Sequence, residues 1–512
     1  MTKSIDPRIH VLIDMHYALQ PFSGISQETR LTFGELASVP GLQLGGVVNT
    51  QADLWAARSS RGLEGGYAAG AQAALVDEIE RAQLRKKAEK TARQLVVSRY
   101  RKSWLSRLRR SLRYRLRGDP LQPIDTVMFG EFVWNRLFAP TLPARYREEA
   151  LKEAYFGVHT GRRSATRAAG SRSWSAKIDT SEWDVLIAQT PFPYRVDLAT
   201  KLIIRYYDAI PVLHPDTVSE GAEEARRHLR LLRENVRNGA SFCCISEPVR
   251  DDLLRLAPEA EGRVCVIPCM VSPLFYPQQP TDGLLQRIVD SRTCPASAMS
   301  KDKASRSAIP DIVEHAGHTG LSPHYIMAVS TLEPRKNYQM LISAWSELRK
   351  NGQDVPDLVL VANPGWRFNE AAAAIGQWRG RGLFHLWKVP MDELRVLYSA
   401  ATAVICPSIV EGFDLSGVEA MRCDSPVIAS DIPVHRSVYG NAALYFDPHD
   451  TASLVKILAD VGNWRKSDGQ AATLRLRGLQ QSSHYRPEVV ATKWLGLLEA
   501  CIQGRTDKQG RR

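Results

Sequence analysis

Short apolar runs alternate with stretches of helical periodicity along most of the chain. The runs IHVLIDM (9–15), LQLGGVVN (42–49), DVLIAQ (184–189), KLIIRYY (201–207), ASFCCIS (240–246) and RVCVIP (263–268) read as strands. After a break, HYIMAVS (324–330), DLVLVAN (357–363), LFHLWKV (383–389), AVICPS (403–408), PVIAS (426–430) and ALYFD (443–447) form a second series. Runs this continuous mark strands covered on both faces, as in parallel sheets flanked by helices. Helical spacing of apolar residues fills the intervals near 26–38, 222–238 and 247–256, then 337–350, 369–379, 391–400, 416–422 and 450–461. The pattern predicts two doubly wound, Rossmann-like α/β domains facing a cleft. Ligands of such sheets bind beyond the carboxyl ends of the strands, so the chemistry is expected in the loops that follow them.

Residues 1–277 are expected to form the first domain and 324–480 the second. The stretch 278–323 is rich in Thr, Gly, Pro, Ser and Lys with little periodicity, and reads as an interdomain linker. The segment 60–180 interrupts the first series and reads as a polar, largely helical insertion. Residues 481–512 carry a last helical pattern (Val490, Trp494, Leu497, Leu498) and a tail.

Among 512 residues, 44% are hydrophobic and 24% charged, which excludes a disordered, collagen-like or disulfide-scaffold protein. No run of 18 uncharged apolar residues occurs, and the first residues lack the pattern of a secretory leader. The eight cysteines are scattered without a CxxC, as expected of reduced core residues in a cytoplasmic protein. The net charge of +12 is local: residues 85–117 carry 14 Lys and Arg against the single acid Glu89. Val97, Tyr100, Trp104, Leu105, Leu108, Leu112 and Leu116 recur at helical steps there, with Arg107, Arg109, Arg110 and Arg113 among them. A basic amphipathic helix of this kind suits an anionic membrane surface, where Trp104 and the four arginines would make the contact. Packing on its own domain is the plainer reading. Nucleic acid is not expected as a partner, since no finger, RRM or helix-turn-helix signature accompanies the run.

Two strings carry candidate chemistry. In STLEPRKNYQML (330–341), Arg335 and Lys336 follow a strand and open a helix. A helix start with two cations offers a diphosphate site, and an ordinary solvated turn is the alternative. In PSIVEGFDLSGVEAMRCDSPVIAS (407–430), Glu411 and Glu419 stand eight residues apart after a strand. Two carboxylates so spaced could accept hydrogen bonds from vicinal hydroxyls on two parts of one long ligand. Ser416 with Glu419 could instead be a helix-capping box. There is no GxGxxG, Walker A, GxSxG elbow, HExxH or Asp-x-Asp triplet, so no metal site is expected.

The second string resembles the Glu-x7-Glu signature of the retaining GT-B glycosyltransferases of the large family numbered four, also called group 1. The likeness continues through EPRKN before it, VPMDELRVLYSAATAVICPS (389–408), and SDIPVHRSVYGNAALYFDP (430–448). More weakly it includes SGIS (23–26), YYDAIPVLHPD (206–216), CISEPVRDDLL (244–254) and VIPCMVSPLFYP (266–277). It covers about two thirds of the chain and omits 60–180 and most of the linker.

The resemblance implies a GT-B fold and a metal-independent hexosyltransferase with a nucleotide diphosphate sugar as donor and no cofactor. Arg335 and Lys336 would neutralise the diphosphate, Glu411 would hold the hexose, and Glu419 would bind the ribose. Phe413, Asp414 and Leu415 would contact the sugar, Gly24 would approach the phosphates, and Asp208 would line the acceptor wall. Asp414 and Asp424 stand where relatives commonly have glycine, Ser416 where proline is common, Tyr207 where many have histidine, and Ser330 where glycine is frequent. An Asp tolerates a left-handed backbone better than most residues, so the loop at Asp414 is expected to survive. The donor hexose, mannose among the candidates, stays open. The acceptor is expected to be a glycan or lipid-linked glycan of a surface polysaccharide or lipopolysaccharide, made by a cytoplasmic protein peripheral on the inner membrane face. The alternatives are a sugar-phosphate synthase with a soluble acceptor, and a non-catalytic glycan- or nucleic-acid-binding protein on a transferase fold.

Overall fold

The computed structural model describes residues 9–20, 24–48, 118–158, 162, 165–166, 176–281, 283–294, 320–462, 464 and 469–509. The basic stretch 85–117, with Trp104, Arg107, Arg109, Arg110 and Arg113, lies outside them.

The first lobe is built on an eight-stranded sheet in the order β3-β4-β2-β1-β5-β6-β7-β8. Its strands are β1 (Ile9–Asp14), β2 (Leu42–Val48), β3 (Gln122–Ile124), β4 (Ala154–Gly157), β5 (Val185–Ala188), β6 (Lys201–Tyr206), β7 (Ser241–Cys244) and β8 (Val264–Val266). All neighbours are parallel except β3 against β4. The second lobe has the order β11-β10-β9-β12-β13-β14, parallel throughout. These are β9 (Tyr325–Leu332), β10 (Asp357–Pro364), β11 (Leu383–Leu386), β12 (Ala403–Cys406), β13 (Val427–Ser430) and β14 (Ala443–Phe446). Fully buried runs such as Val185–Ala188 and Ala403–Cys406 confirm that both faces are covered. Two doubly wound parallel sheets are therefore present, as the pattern predicts.

Three details differ from the sequence reading. The segment 60–180 is not solely a helical insertion, because its described part adds β3 and β4 to the edge of the sheet. Short strands hide in polar sequence when only a few residues pair. The presumed linker contains a helix, Leu284–Arg292, whose Arg292 grips Glu393 of the second lobe at 2.6 and 2.7 Å. The end of the chain is two helices, Gly469–Ser483 against the second lobe and Pro487–Gln509, which crosses back to pack on α1 (Gly24–Ala37) of the first.

That return crossing rests on a buried ion pair. Arg205 on β6 donates to Glu28 on α1 at 2.7 Å and to the carbonyls of Ile267 and Pro268, while Trp494 of the last helix lies over its guanidinium at 5.3 Å. Glu28 also accepts the Met270 N–H at 2.7 Å. Both charges are essentially inaccessible to water, so neither can lose its partner cheaply. Glu28→Gln strands the Arg205 charge and is expected to lower stability by about 3–5 kcal/mol. Urea denaturation followed by tryptophan fluorescence measures this, and an unchanged midpoint would remove the ion pair from its structural role.

Candidate functional site

In the second lobe the strand order reverses between β9 and β12, and the loops after these two strands carry the two strings singled out above. After β9 the chain makes one tight turn, Pro334–Lys336, and Asn337 takes a left-handed backbone (φ 55°) before the helix Tyr338–Lys350. The turn is pinned by the Ile409 N–H donating to the Arg335 carbonyl at 2.8 Å and by Asn337 Nδ2 donating to the Pro448 carbonyl at 3.0 Å.

This places both cations on one carboxylate. Arg335 Nη1 donates to Glu411 Oε2 at 2.8 Å, and Lys336 Nζ donates to Glu411 Oε1. A second acid, Glu333, takes Arg335 Nε at 3.1 Å. All three principal side chains are largely covered, with 19%, 12% and 7% exposure for Arg335, Lys336 and Glu411. Burial alone would raise the Glu411 pKa, but Arg335 and then Lys336 outweigh it and hold it below the usual range. Burial likewise opposes the Arg335 charge, and Glu411 and Glu333 reverse this and push its pKa up.

Asp208 comes from the other lobe, two residues past the end of β6. Its carboxylate accepts the Ile210 N–H at 3.1 Å. Burial raises its pKa, opposed chiefly by the nearby Arg335. Arg335, Lys336, Glu411 and Asp208 are thus one electrostatic group spanning both lobes.

The contact between lobes here is tight. A Cβ on Gly412 would run into the Tyr207 carbonyl oxygen, so only glycine lets the loop approach. Ser246, which caps the helix Glu247–Leu256 of the first lobe, donates to the Gly412 carbonyl at 2.8 Å. Tyr207, at the wall position, turns its hydroxyl away to Gln189 Oε1 at 2.9 Å.

Beyond Gly412, Phe413 is buried edge-on against Tyr485 with ring centres 5.3 Å apart. Asp414 has φ 63° and Asp424 φ 61°, so both stand in the left-handed backbone that glycine would fill. The Asp414 side chain is engaged by its own loop and the helix Pro433–Tyr439. Its Oδ1 accepts the Ser416 N–H and hydroxyl at 3.3 and 2.6 Å, and its Oδ2 is bonded to His435 Nε2 at 3.1 Å. Burial would raise its pKa, but His435, with Lys336 and Ser416, holds it well below the carboxylate range. Asp414, not Ser416, is therefore the N-cap of the helix Leu415–Arg422, and the capping-box reading is corrected. Leu415 faces Gly24, the first residue of α1, across the cleft.

Glu419 lies one turn inside that helix and is buried. It accepts Gln27 Nε2 from α1 at 3.2 Å and the Tyr398 hydroxyl at 3.2 Å. Burial pushes its pKa up to about 7, only partly offset by Gln27 and Tyr398. Gln27, Tyr398, Ser246 and Glu333 escape the sequence reading. The one available signal is in α1, where Ser26, Gln27, Glu28, Thr29 and Arg30 are consecutive polar residues that the fold buries.

Part of the chain is similar to known proteins. The glycosyl transferases group 1 family profile matches residues 317–469, which include both strings. O-antigen chain mannosyltransferase B of Escherichia coli is 32% identical over 174 residues, 33% of this chain and 44% of that protein. O-antigen chain mannosyltransferase RfbU of Salmonella typhimurium is 34% identical over 131 residues, 25% of this chain and 36% of that protein. The chain thus spans less than half the length of either relative. In fold it is similar to sucrose-phosphate synthase from Thermosynechococcus elongatus, with TM-score 0.56 and 14% identity over 97% of this chain and 100% of that one. Anabaena HepE in complex with UDP and glucose gives TM-score 0.53 and 13% identity over 96% and 100%. Residues 317–469 thus match the glycosyl transferases group 1 family, and the two-lobed architecture is the GT-B fold.

Proposed function

We propose that this chain transfers a hexose, mannose first among the candidates, from a nucleotide diphosphate sugar to a hydroxyl of a glycan acceptor, with retention at the anomeric carbon. The observation that carries this reading is the Arg335–Lys336–Glu411 group at the β9/β12 reversal, facing Asp208 of the other lobe. The O-antigen mannosyltransferases among its relatives support mannose and a surface-polysaccharide acceptor. A lipid-linked acceptor and an anionic membrane surface are supported by the charge of residues 85–117. In that case the protein is cytoplasmic and peripheral on the inner face of the membrane, with Trp104, Arg107, Arg109, Arg110 and Arg113 in contact. Among the described residues no helix is long and apolar enough to cross a membrane.

The barrier in this reaction is departure of a diphosphate while positive charge grows on the sugar ring. Without donor, Glu411 answers both cations. A diphosphate takes them over, because its oxygens carry more charge than one carboxylate. Glu411 is then released to accept hexose hydroxyls, while Glu419 accepts those of the ribose. Arg335 and Lys336 supply the preorganised positive charge that a divalent cation supplies at other diphosphate sites. The C1–O bond to the diphosphate breaks, the acceptor oxygen bonds to C1 on the same face, and the acceptor proton passes to the departing phosphate oxygen. Contact between the lobes at Gly412 keeps water from the ring.

Lys336→Ala and Glu411→Ala are each expected to lower turnover by on the order of 100-fold, with the fold kept by circular dichroism although the charge left without its partner lowers the melting temperature. A screen of GDP- and UDP-sugars on native lipid extracts, with products read by mass spectrometry, measures this. Undiminished rates in either variant would remove these residues from the reaction, and no nucleotide binding at all would favour the non-catalytic alternative. Glu419 must be ionised to accept ribose hydroxyls strongly, and its pKa near 7 means that it ionises as pH rises through neutrality. Nucleotide affinity by calorimetry is therefore expected to rise up to about tenfold from pH 6 to pH 8. Glu419→Gln is expected to flatten that rise; an equal rise in the variant would assign it to another group. Changing Arg107, Arg109, Arg110 and Arg113 to Glu is expected to abolish binding to anionic liposomes with nucleotide binding kept. Liposome binding that survives would dismiss the membrane contact.

A further inference from the structure

The turn between the two glutamates carries a residue that its backbone does not favour. Asp414 has φ 63°, a left-handed conformation that glycine takes freely and that is costly for a residue with a Cβ. Such a position persists only where its surroundings hold it. Here the hold is a chain of hydrogen bonds running from the turn to the ends of two strands. Asp414 Oδ1 accepts the Ser416 N–H and hydroxyl, and Asp414 Oδ2 is bonded to His435 Nε2 at 3.1 Å. His435 Nδ1 lies 2.9 Å from the Ser430 carbonyl oxygen and 3.0 Å from Ser430 Oγ, at the end of β13. The Ser430 hydroxyl donates in turn to the Ser408 carbonyl, beyond the end of β12. Tyr439 stacks on the His435 ring at 5.1 Å and donates its hydroxyl to the Asp414 carbonyl at 2.8 Å.

This network fixes the protons. The Ser430 hydroxyl proton is committed to Ser408, so Nδ1 has only acceptors before it and carries a hydrogen. Nε2 faces a carboxylate oxygen, and that contact needs a hydrogen as well. A neutral ring has one N–H and satisfies one of the two contacts, whereas an imidazolium satisfies both. The proton belongs to the ring and not to Asp414, whose other oxygen already receives two donors from Ser416. With 0% and 6% exposure for the His435 and Asp414 side chains, each charge depends on the other. Asp414 also caps the helix that carries Glu419 and follows Glu411 by three residues.

We propose that Asp414 holds His435 as an imidazolium and that His435 is a positioning residue for the donor sugar. The ion pair locks the turn 412–416 and with it the spacing of Glu411 and Glu419. The inference rests on the reading above that these two glutamates hold the donor. Glycine would form the same turn without help, but it would leave the turn free to open. A carboxylate tied through a buried ring to β13 keeps it shut. His435 acts through Asp414 alone.

Nitrogen-15 NMR of the histidine side chains in the full chain reads the ring directly, with His435 assigned by the signals that His435→Gln removes. At pH 7 both His435 nitrogens are expected to carry protons in the parent, and Nδ1 alone in Asp414→Asn, whose amide can donate to Nε2. Steady-state kinetics with GDP-mannose and UDP-glucose supply the second readout. His435→Asn keeps a donor to Ser430 and cannot reach Asp414. It is expected to raise the donor KM about tenfold, the effect of losing a charge-assisted hydrogen bond, with kcat within about threefold of the parent. His435→Gln, which reaches Asp414 in place of Nε2 and guards against a folding defect, is expected to recover most of that affinity. Adding Asp414→Gly to His435→Asn is expected to recover it too, because the stranded carboxylate is gone and glycine takes the turn unaided. A single protonated ring nitrogen in the parent overturns the proposal. So does an unchanged KM in His435→Asn, or an increase that persists in the double variant, which would leave His435 a packing residue. If the parent turns over neither nucleotide sugar and binds neither, the donor reading falls while the ring nitrogens still decide the ion pair.

Discussion

One carboxylate shared between two cations organises the reactive part of this molecule. Glu411 stands at the end of one strand, and Arg335 with Lys336 at the end of its neighbour. Each charge is buried enough that it needs the others, and none could sit there alone at an acceptable energetic cost. The pairing fixes the two loops relative to each other before any ligand arrives. It also keeps a positive site from trapping stray anions. In the proposed reaction, a ligand that brings two phosphates would offer more negative charge than the carboxylate it replaces.

Several of the contacts between the lobes touch this group or its helix. Gly412 lies against the Tyr207 carbonyl, Ser246 bonds to Gly412, and Gln27 bonds to Glu419. The last of these is the most open to change, because a neutral amide meets a carboxyl whose pKa has drifted to about 7. In the proposed function, Gln27 holds the place of the hydroxyl donors that a ribose would bring. The crossing helix, with Trp494 over Arg205, ties the end of the chain to the first lobe by a separate route. These two links between the lobes differ in chemistry, one an amide on a carboxyl and one a buried ring over a guanidinium.

In both lobes the reversal of strand order brings charged side chains together. In the second lobe it gathers Arg335, Lys336 and Glu411; in the first it gathers Asp14, Thr190 and Arg162. The second-lobe residues lie in the segment that matches the group 1 profile. The first-lobe cation comes from the insertion, where members of a family can differ without disturbing the sheet.

Much of this was legible in the amino-acid order. Continuous apolar runs announced the strands, and the helices Glu247–Leu256 and Met391–Ala400 begin and end where periodicity predicts. The turn at Asp414 adopts the glycine-like backbone expected of it. Periodicity and turn chemistry are local properties, encoded within a few residues of where they act. The short strands β3 and β4, and the seven-residue helix Pro433–Tyr439, are too brief to leave a periodic trace. The identity of each partner was settled only in three dimensions. Gln27 meets Glu419 across 392 residues of sequence, Arg162 meets Asp14 across 148, and Asp414 meets His435 across 21. Such pairings depend on which strand ends the sheets bring side by side, and no window of sequence contains that information.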